Sequence, residues 1–455
     1  MTSCHWMISI ELSKLYPVTS SHWISSLHTM KVFLHPTKEN LPNILKRPTF
    51  DSAQLEASVT SILQSVQQEG DAAVRNFSLQ FDGVRLANFR VGLGEINKAI
   101  NALDEDLKKA IQQAYANITA FHEAQKEPIK EIETMPGVRC WRKSVGIQKV
   151  GLYIPGGTAP LFSTILMLGV PAKIAGCKEV ILCTPPNSDG TVHPAILYAA
   201  NLVGATKIFK IGGVQAIGAM AYGTASVPKV NKIFGPGNQY VTAAKQLIQK
   251  DGIAIDMPAG PSEVMVVADE IAIPAFVAAD LLSQAEHGAD SQVVLVASSE
   301  AIIQNVHQEL ARQLAILPRK ELATKALENS CAIVAIDKNN MLEIIDEYAP
   351  EHLILSIEEA VEMAASVTNA GSVFIGNYSP ESVGDYASGT NHTLPTNGFA
   401  KAYSGVSLDS FCKKITFQEL SQEGLRNIGH TVELMAEAEE LEAHKRAVSI
   451  RLKTL

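Results

Sequence analysis

Short β-branched runs alternate with helical segments through most of the chain after Pro136. A first series of runs reads VGLYI, EVILC, KIFKI and KVNKIF, and a second reads EVMVVAD, SQVVLVAS, SCAIVAID, EHLILS and GSVFIGN. Apolar helical segments such as ILMLGVPAKIAG and AILYAANLVG separate them. Strands that alternate with helices are typical of βαβ units on a parallel sheet. The pattern therefore predicts an α/β fold with two Rossmann-like parallel-sheet units.

The segments that flank these units have a different pattern of hydrophobic residues. The period is helical before Pro136, and Glu423 to Leu455 is strongly helical, so we predict an N-terminal helical region and a C-terminal helical arm. The arm either packs on its own chain or reaches a partner subunit. We divide the chain into a disordered extension or over-called start (1–29), an N-terminal helical region joining the second α/β unit (30–152), the first α/β unit (153–263), the second α/β unit (264–394) and the arm (395–455).

Composition excludes several classes of protein. Charged residues make up 19% and hydrophobic residues 46% of the 455, which argues against a disordered chain or a coiled coil. The net charge of −9, without basic runs, makes a nucleic-acid partner a poor candidate. The cysteines are scattered and form no CxxC pair, which fits a reducing cytoplasm. We therefore expect a cytoplasmic protein.

One uncharged stretch, Gly151–Ala172, is long enough to span a bilayer. It also contains three prolines and the Gly156-Gly157 pair, which would interrupt a spanning helix repeatedly. A strand, a glycine-rich loop and a buried helix account for the same residues. We expect no membrane partner.

Several familiar nucleotide and hydrolase signatures are absent. The sequence has no GxxxxGK[ST], no HExxH and no GxSxG. It also lacks a full GxGxxG fingerprint, because Gly235-Pro-Gly237 and Gly92-Leu-Gly94 each miss the third glycine. A dinucleotide bound to this chain would not use the standard fingerprint.

Four loops rich in glycine and proline follow β-type runs. They are YIPGGTAP (153–160), IGGVQAIG (211–218), FGPGN (234–238) and DMPAGPSE (256–263). Ligands of doubly wound sheets bind at the carboxyl ends of strands, where glycines let backbone N–H groups approach phosphates. Each loop alone could be an ordinary tight turn. Four within one region favour a binding edge.

Two polar pairs in the second series could carry chemistry. Gln284 and His287 are three residues apart on a helix expected to end near Gly288, so they share a face. A metal could bind there, although His287 could equally be a dipole-compensating cap. Glu351 and His352 stand together at a strand start and could transfer protons, although an exposed Glu-His pair is also common.

Four further polar residues lie outside these pairs. Asp385 and His392 belong to a polar loop after the run GSVFIG. His444 lies on the C-terminal helix with Glu439 near it. By itself, each histidine could be only a solvated side chain.

Taken in order, the motifs form a specific series. IDMPAGPSEVMVVAD, DLLSQAEHGADSQ, APEHLI, GSVFIGNYSPESVGDYASGTNHTLPT and LEAHKRAVSIR closely resemble the histidinol dehydrogenase family, zinc enzymes of the last two steps of histidine biosynthesis. The resemblance runs from about Met30 to the C-terminus and does not cover residues 1–29.

The resemblance implies a role for each matching residue. The zinc ligands would be Gln284, His287, Asp385 and His444. The proton acceptors would be Glu351 and His352. The substrate contacts would be Ser262, Gln284, His287, His352, Asp385, His392, Glu439 and His444. The NAD contacts would be Tyr153, Gln215 and Asn238.

The resemblance also implies cofactors and partners. One Zn²⁺ per subunit would bind, NAD would be the co-substrate, and L-histidinol would be oxidised through L-histidinaldehyde to L-histidine. Two imidazoles, a carboxylate and an amide oxygen, without a thiolate, suit an exchangeable zinc with open positions. The family further implies a homodimer whose active sites are shared through exchanged C-terminal arms.

Three other functions stay open on sequence alone. A related zinc and NAD dehydrogenase could oxidise another polar alcohol on the same scaffold. An aldehyde-dehydrogenase-type enzyme would need a nucleophilic cysteine, but Cys177, Cys183 and Cys331 lie in or beside apolar runs typical of a core. A non-catalytic zinc scaffold would need neither the Glu351-His352 pair nor four strand-end loops.

Overall fold

The computed structural model describes residues 30–48, 52–156, 159–258 and 260–455, and the predicted extension 1–29 lies outside them. The chain divides into two compact units, each built from separate segments. The six-stranded unit comprises the described residues up to Leu55, together with those of Met257–Asp385 and Leu394–Gly405. The five-stranded unit comprises Glu56–Asp256, Tyr386–Thr393 and Val406–Leu455.

The strands and helices alternate as the sequence predicts. The strands are β1 Lys31–Leu34, β2 Glu131–Met135, β3 Val138–Gly146, β4 Lys149–Tyr153, β5 Glu179–Thr184, β6 Lys207–Lys210, β7 Lys232–Phe234, β8 Ala254–Ile255, β9 Glu263–Ala268, β10 Gln292–Ala297, β11 Cys331–Val334, β12 His352–Ser356, β13 Ser372–Ile375 and β14 Cys412–Leu420. The helices are α1 Leu41–Ile44, α2 Ser52–Glu69, α3 Asp71–Asp82, α4 Leu93–Ala102, α5 Glu105–Glu123, α6 Phe162–Ala175, α7 Pro194–Val203, α8 Gly213–Tyr222, α9 Gln239–Ile248, α10 Pro274–Ala285, α11 Glu300–Leu314, α12 Lys320–Glu328, α13 Lys338–Tyr348, α14 Ala360–Ser366, α15 Glu381–Tyr386, α16 Gln422–Ala438 and α17 Glu442–Leu452.

The six-stranded unit is built on a parallel sheet with the order β1-β11-β10-β9-β12-β13. If these strands are numbered along the chain starting with β9 as strand 1, the sheet from β11 to β13 has the order 3-2-1-4-5, which is the order of a doubly wound sheet. The strand order, though not the strand direction, reverses between β9 and β12. The residues of β9 and β10 are buried on both faces, and an apolar cluster covers each face. Burial on both faces explains why these strands read as continuous apolar runs.

The five-stranded unit repeats this order on a second parallel sheet, β6-β5-β4-β7-β8. Counted from β4 it is again 3-2-1-4-5, with the reversal between β4 and β7. The predicted α/β fold with parallel sheets is confirmed.

The N-terminal helical region divides differently from the predicted 30–152 segment. Only its first part, with β1 paired to β11, belongs to the six-stranded unit. The helices α3, α4 and α5 pack instead against α8, α7 and α6 of the five-stranded unit. Their apolar faces are buried there, so this region supports the first α/β unit rather than the second.

The predicted C-terminal arm is not wholly helical, because it contains strand β14. This strand pairs antiparallel with β3, which also pairs with β2, to form a three-stranded sheet. Most of its residues are exposed, and the partner strands are far apart in sequence, so the local sequence pattern gives no sign of the pairing. The helices α16 and α17 then pack on each other.

The uncharged Gly151–Ala172 stretch forms the predicted strand, loop and buried helix. It supplies most of β4 and then α6, in which every residue from Ser163 to Ala172 is buried. Among the described residues, no helix is both long and apolar enough to cross a membrane.

Candidate active site

The pair Glu351 and His352 lies at the amino end of β12, beside β9 at the reversal of strand order. The preceding helix α13 is followed by Ala349, a non-glycine residue held at φ 50°. This left-handed residue turns the chain sharply into β12, and such conformations are often retained at functional sites. Both members of the pair are buried.

Hydrogen bonds to the first residue of β9 hold the pair. One carboxylate oxygen of Glu351, Oε2, accepts from the backbone N–H of Glu263 at 2.8 Å, and His352 Nδ1 lies 3.1 Å from the Glu263 carbonyl oxygen. His352 Nδ1 is also 3.6 Å from Glu351 Oε2. A carbonyl partner at Nδ1 requires the ring hydrogen there, so Nε2 is left as the basic nitrogen.

His352 Nε2 faces Asp385. The distance to Asp385 Oδ1 is 3.3 Å, which is within ion-pair range, yet Nε2 makes no directed hydrogen bond within the described part of the chain. We therefore treat the contact as electrostatic. It brings one proposed metal ligand beside one proposed proton acceptor.

Burial and charge move both pKa values. Burial raises the pKa of Glu351, because the ionised carboxylate loses its solvent. Burial alone would lower the pKa of His352, but the carboxylates of Glu351 and Asp385 raise it well above its ordinary value. Proton affinity is therefore high on both groups.

Gln284 and His287 lie at the C-terminal end of α10. The helix ends at Ala285, so His287 follows it rather than sharing its last turn, and its backbone N–H bonds the Gln284 carbonyl at 3.2 Å. The predicted helix end near Gly288 is therefore wrong by three residues. Gln284 is only 1% exposed, and its side-chain Oε1 has no hydrogen-bond partner among the residues that the structure describes. An orphaned amide oxygen of this kind fits a metal ion.

Glu381 is a neighbour of these ligands that sequence reasoning did not single out, although it lies within the quoted motif SPESVGDYASG. Its side chain is buried on α15 and accepts a hydrogen bond from Ser283 Oγ. Burial raises its pKa to about 8, against the hydrogen bonds from Ser283 and Gln284. The structure therefore places a carboxyl group of high proton affinity beside Gln284.

The residues Glu439 and His444 lie in the other unit, where α16 ends and α17 begins. Glu439 caps α16, Glu440 takes a left-handed φ of 57°, and His444 is in the first turn of α17. Both Glu439 and His444 are exposed. Within the described ranges, no three His, Cys, Asp or Glu side chains cluster closely enough to hold a metal.

The remaining proposed substrate contacts are Ser262 and His392. Ser262 immediately precedes β9, and its carbonyl accepts from Gln292 N at 3.2 Å. His392 belongs to the segment Tyr386–Thr393 and places Nε2 3.1 Å from Thr164 Oγ1. The buried side chain of Asn391 fixes this segment by donating to the Met167 carbonyl at 2.6 Å.

In the five-stranded unit, Tyr153 and Gln215 meet at Gly213, the first residue of α8. Tyr153 ends β4, and its hydroxyl accepts from Gly213 N at 3.1 Å. Gln215 is fully buried, and neither polar atom of its amide has a partner among the described residues. Gly213 has a φ of +60°, and a Cβ there would lie 2.8 Å from Gln215 Oε1. This turn therefore requires glycine.

Asn238 follows β7, the neighbour of β4, and caps α9. Its Oδ1 accepts from the N–H groups of Tyr240 and Val241, each at 3.1 Å. Three of the glycine-rich loops thus follow β4, β6 and β7, with residues 157 and 158 outside the described residues. The loop 256–263 differs, because it leads into the amino end of β9 and delivers Ser262 there.

Asp82, at the end of α3, was not indicated by any sequence motif. Burial raises its pKa to about 6, and its Oδ2 has no hydrogen-bond partner in the described ranges. Its Oδ1 would lie 3.3 Å from a Cβ at Gly212. A carboxyl group therefore adjoins the glycine turn.

The cysteines give no reactive thiolate. Cys183 and Cys331 are buried as predicted, whereas Cys177 is half-buried. Burial raises the pKa of Cys331 and of Cys177 to about 12 and that of Cys183 further. This disfavours a cysteine nucleophile at these positions.

Known proteins resemble this chain over most of its length. The family model for histidinol dehydrogenase matches residues 45–452. The chain belongs to the histidinol dehydrogenase family. A histidinol dehydrogenase of Bacteroides thetaiotaomicron is 60% identical over 426 residues, which cover 94% of this chain and 100% of the relative.

Other members of the family are nearly as similar. The chloroplastic histidinol dehydrogenase of Arabidopsis thaliana is 53% identical over 422 residues, which cover 92% of this chain and 90% of the relative. The crystal structure of histidinol dehydrogenase from Elizabethkingia anophelis matches with a TM-score of 0.92 and 54% identity, covering 94% of this chain and 99% of that one. This family member is therefore an oxidoreductase, as the sequence predicted.

Proposed function

We propose that this protein oxidises L-histidinol through L-histidinaldehyde to L-histidine, with NAD⁺ as the electron acceptor and one Zn²⁺ per subunit. The observation that carries the proposal is the buried pair Glu351 and His352, held on Glu263 with His352 Nε2 3.3 Å from Asp385. A scaffold without catalysis has no need for two buried proton acceptors at one strand end.

The metal would bind Gln284, His287 and Asp385 of one subunit and His444 from an arm. The orphaned Oε1 of Gln284 supports this set, as does its position at the C-terminal end of α10, where the helix dipole favours a cation. Bound Zn²⁺ would hold the imidazole and amine nitrogens of the substrate and orient its carbinol carbon.

In the first oxidation, His352 removes the hydroxyl proton while the carbinol hydride leaves to NAD⁺. The acceptor is Nε2 of the neutral ring, because Nδ1 carries its hydrogen toward the Glu263 carbonyl. Since the pKa of His352 is raised, this step should speed up as the pH rises and Nε2 loses its proton. Ser262, His392 and Glu439 would contact the substrate. The product of this step is the aldehyde.

In the second oxidation, Glu351 helps to remove a proton from the water that attacks the aldehyde carbon. The resulting hydrate then gives up its hydride to a second NAD⁺ and becomes a carboxylate. Burial gives Glu351 a raised pKa, which suits a base that must accept a proton near neutral pH. His352 serves both steps.

The NAD contacts would be Tyr153, Gln215 and Asn238, which follow or end neighbouring strands of the five-stranded unit. The unpartnered amide of buried Gln215 supports a polar ligand at this edge. We interpret both sheets as Rossmann-like units without the fingerprint, in a cytoplasmic protein with neither nucleic-acid nor membrane partners.

The protein would act as a homodimer with shared active sites. Glu439 and His444 are exposed on a C-terminal hairpin, so they are available to the opposite subunit. His287→Ala and His444→Ala should each be nearly inactive alone, and refolding the two together should restore activity in mixed dimers that contain one intact site. If the arm serves its own subunit, mixing will recover nothing.

The function itself is tested by NADH formation from L-histidinol, compared with other amino alcohols. We expect turnover with histidinol, its loss on chelation, and partial recovery with Zn²⁺, Mn²⁺ or Co²⁺, because no soft ligand excludes the harder ions. Full activity of metal-free protein would contradict the proposed zinc dependence. Equal turnover of another amino alcohol would contradict L-histidinol as the specific substrate.

A further inference from the structure

Glu263, the first residue of β9, contacts both members of the acid–base pair through its backbone. Its N–H donates to Glu351, and its carbonyl oxygen faces Nδ1 of His352. These two bonds aim the carboxylate and select the ring tautomer. Any shift of the Glu263 backbone would therefore disturb both groups at once.

The side chain of Glu263 is held by Arg47, which lies 216 residues away in the sequence. Arg47 Nε donates to Oε1 at 2.6 Å and Nη2 donates to Oε2 at 2.9 Å. The two side chains are only 16% and 3% exposed. The backbone N–H of Asn397 adds a third bond to Oε1 at 2.7 Å. A buried, bidentate pair of this kind fixes its partners in orientation as well as distance.

Arg47 also reaches the helix from which the acid–base pair follows. Its Nη2 donates to the backbone carbonyl of Tyr348 at 2.6 Å, and the guanidinium lies 4.0 Å above the Tyr348 ring centroid. Tyr348 is the last residue of α13 and precedes the strained Ala349. The guanidinium thus joins the amino end of β9 to the C-terminal end of α13.

We infer that the Arg47–Glu263 ion pair is a positioning device for the two proton acceptors. The inference rests on the proposed roles of Glu351 and His352. Because β9 and β12 are adjacent, one guanidinium fixes both sides of the strand-order reversal. Neither Arg47 nor the Glu263 carboxylate needs to touch the substrate.

Only arginine meets this geometry. Three acceptor atoms, two on Glu263 and one on Tyr348, surround a single planar fork. A lysine would retain the charge, but its one nitrogen cannot serve all three in plane. Arg47→Lys therefore separates the fork from the charge.

The test measures both oxidations separately, with L-histidinol and with supplied L-histidinaldehyde. We expect Arg47→Lys to lower kcat for both by about 10- to 100-fold, with the KM for NAD⁺ nearly unchanged, because small displacements of catalytic groups cost this much. Lys338→Met is the matched control, since it removes a cation from an exposed ion pair with Glu359 in the same unit. It should leave both rates unchanged.

A second variant separates positioning from stability. Arg47→Met/Glu263→Met removes both charges, and apolar replacement of a buried pair often preserves folding. We expect a folded protein whose kcat is still low in both oxidations. Wild-type rates in Arg47→Lys or in this double variant would overturn the inference.

The tautomer of His352 gives a readout that needs no turnover. In protein labelled with [¹⁵N]histidine, at a pH high enough for the His352 ring to be neutral, the wild-type ring should carry its hydrogen on Nδ1. Arg47→Lys and the double variant should both show mixed tautomers, and His352→Asn serves for the assignment. An unchanged nitrogen spectrum in a slow variant would overturn the inference. If wild-type protein does not oxidise histidinol, the proposed function fails. The spectrum still tests whether the Arg47–Glu263 ion pair positions the His352 ring.

Discussion

The two parallel sheets share one strand order but present their polar groups at opposite ends. In the five-stranded unit, Tyr153, Gly213 and Asn238 lie at the carboxyl ends of strands, where α8 and α9 begin. In the six-stranded unit, Glu263 and His352 lie at the amino ends of strands, where α10 and α13 end. Helix N-termini favour anions and helix C-termini favour cations. Helix polarity therefore suits one edge to a phosphate-bearing ligand and the other to a metal ion and an imidazolium.

Both sheets also place a buried ion pair at the strand-order reversal. In the six-stranded unit Arg47 pairs with Glu263, whose backbone holds the proposed proton acceptors. In the five-stranded unit Lys245 pairs with Asp256, and these two side chains bind the carbonyl and the N–H of Gly235, each at 2.8 Å. The first pair organises ionisable side chains, and the second organises the backbone of a loop. The same device thus supports two kinds of chemistry.

The largest expected effect on catalysis comes from the residues at the amino ends of the strands in the six-stranded unit. His352→Asn should lower kcat for both oxidations by about 10²- to 10⁴-fold, because general-base catalysis is lost. The KM for NAD⁺ should stay close to normal, since the proposed contacts belong to the other sheet. Steady-state rates with histidinol and with supplied histidinaldehyde check this.

Glu351→Gln, at the same end of the six-stranded sheet, distinguishes the two oxidations. It should slow the oxidation of supplied aldehyde far more than the first oxidation, because only the second step needs activated water. Normal aldehyde oxidation by Glu351→Gln would contradict our division of roles, and a large rise in the KM for NAD⁺ would contradict the separation of the two edges.

An intermediate effect is expected at the carboxyl edge. Gly213→Ala adds a Cβ 2.8 Å from Gln215 Oε1 at a φ of +60°, so the turn must shift. The KM for NAD⁺ should rise about tenfold or more, the equivalent of about 1.4 kcal/mol, while kcat changes less. Gly176→Ala is the control, because Gly176 has a φ of +77° and open space around its Cβ position. An equal effect of both substitutions would assign the change to backbone strain alone.

The smallest effect concerns stability rather than turnover. Burial raises the pKa of Asp280, on α10, to about 7. The folded protein therefore retains a proton that the unfolded chain loses near pH 4, so stability falls as the pH rises from about 4 to 7 and is constant above. The loss is at most about 4 kcal/mol.

Asp280→Asn should remove that loss. Its Tm should exceed the wild-type value by a few degrees at pH 8 and match it at pH 4. Asp82→Asn, in the other unit, should behave alike but more weakly, because the pKa of Asp82 is raised only to about 6. A lower Tm for Asp280→Asn at pH 8 would show that the ionised carboxylate has a stabilising role.

The sequence predicted the local elements well and the long-range arrangement only in part. Runs such as EVMVVAD and EHLILS became β9 and β12, because a strand buried on both faces must be apolar throughout. The pairing of β3 with β14 joins residues some 270 positions apart along mostly exposed strands, and no local period reports it. Arg47 escaped notice for the same reason, since its partner Glu263 is distant in sequence and close only after folding.

The candidate site shows the same limit. The strand start at Glu351 and His352 was visible from Pro350 and the run that follows, but its support by the Glu263 backbone was not. The predicted helix end near Gly288 was wrong by three residues, because α10 ends at Ala285 and no glycine or proline marks that end. Helix ends set by tertiary contacts leave weak local signals.

The segmented construction of the two units constrains how the protein can be made. The strand β1 pairs with β11, whose residues lie about 300 positions later, and the six-stranded unit is complete only at Gly405. The sheet β4–β8 instead comes from one continuous stretch, Lys149–Ile255. During vectorial synthesis on the ribosome, this sheet can close before β11, the partner of β1, has been synthesised. The sheet that carries Glu351 and His352 is thus the later of the two parallel sheets to close, and a prematurely terminated chain carries its apolar strands unpaired.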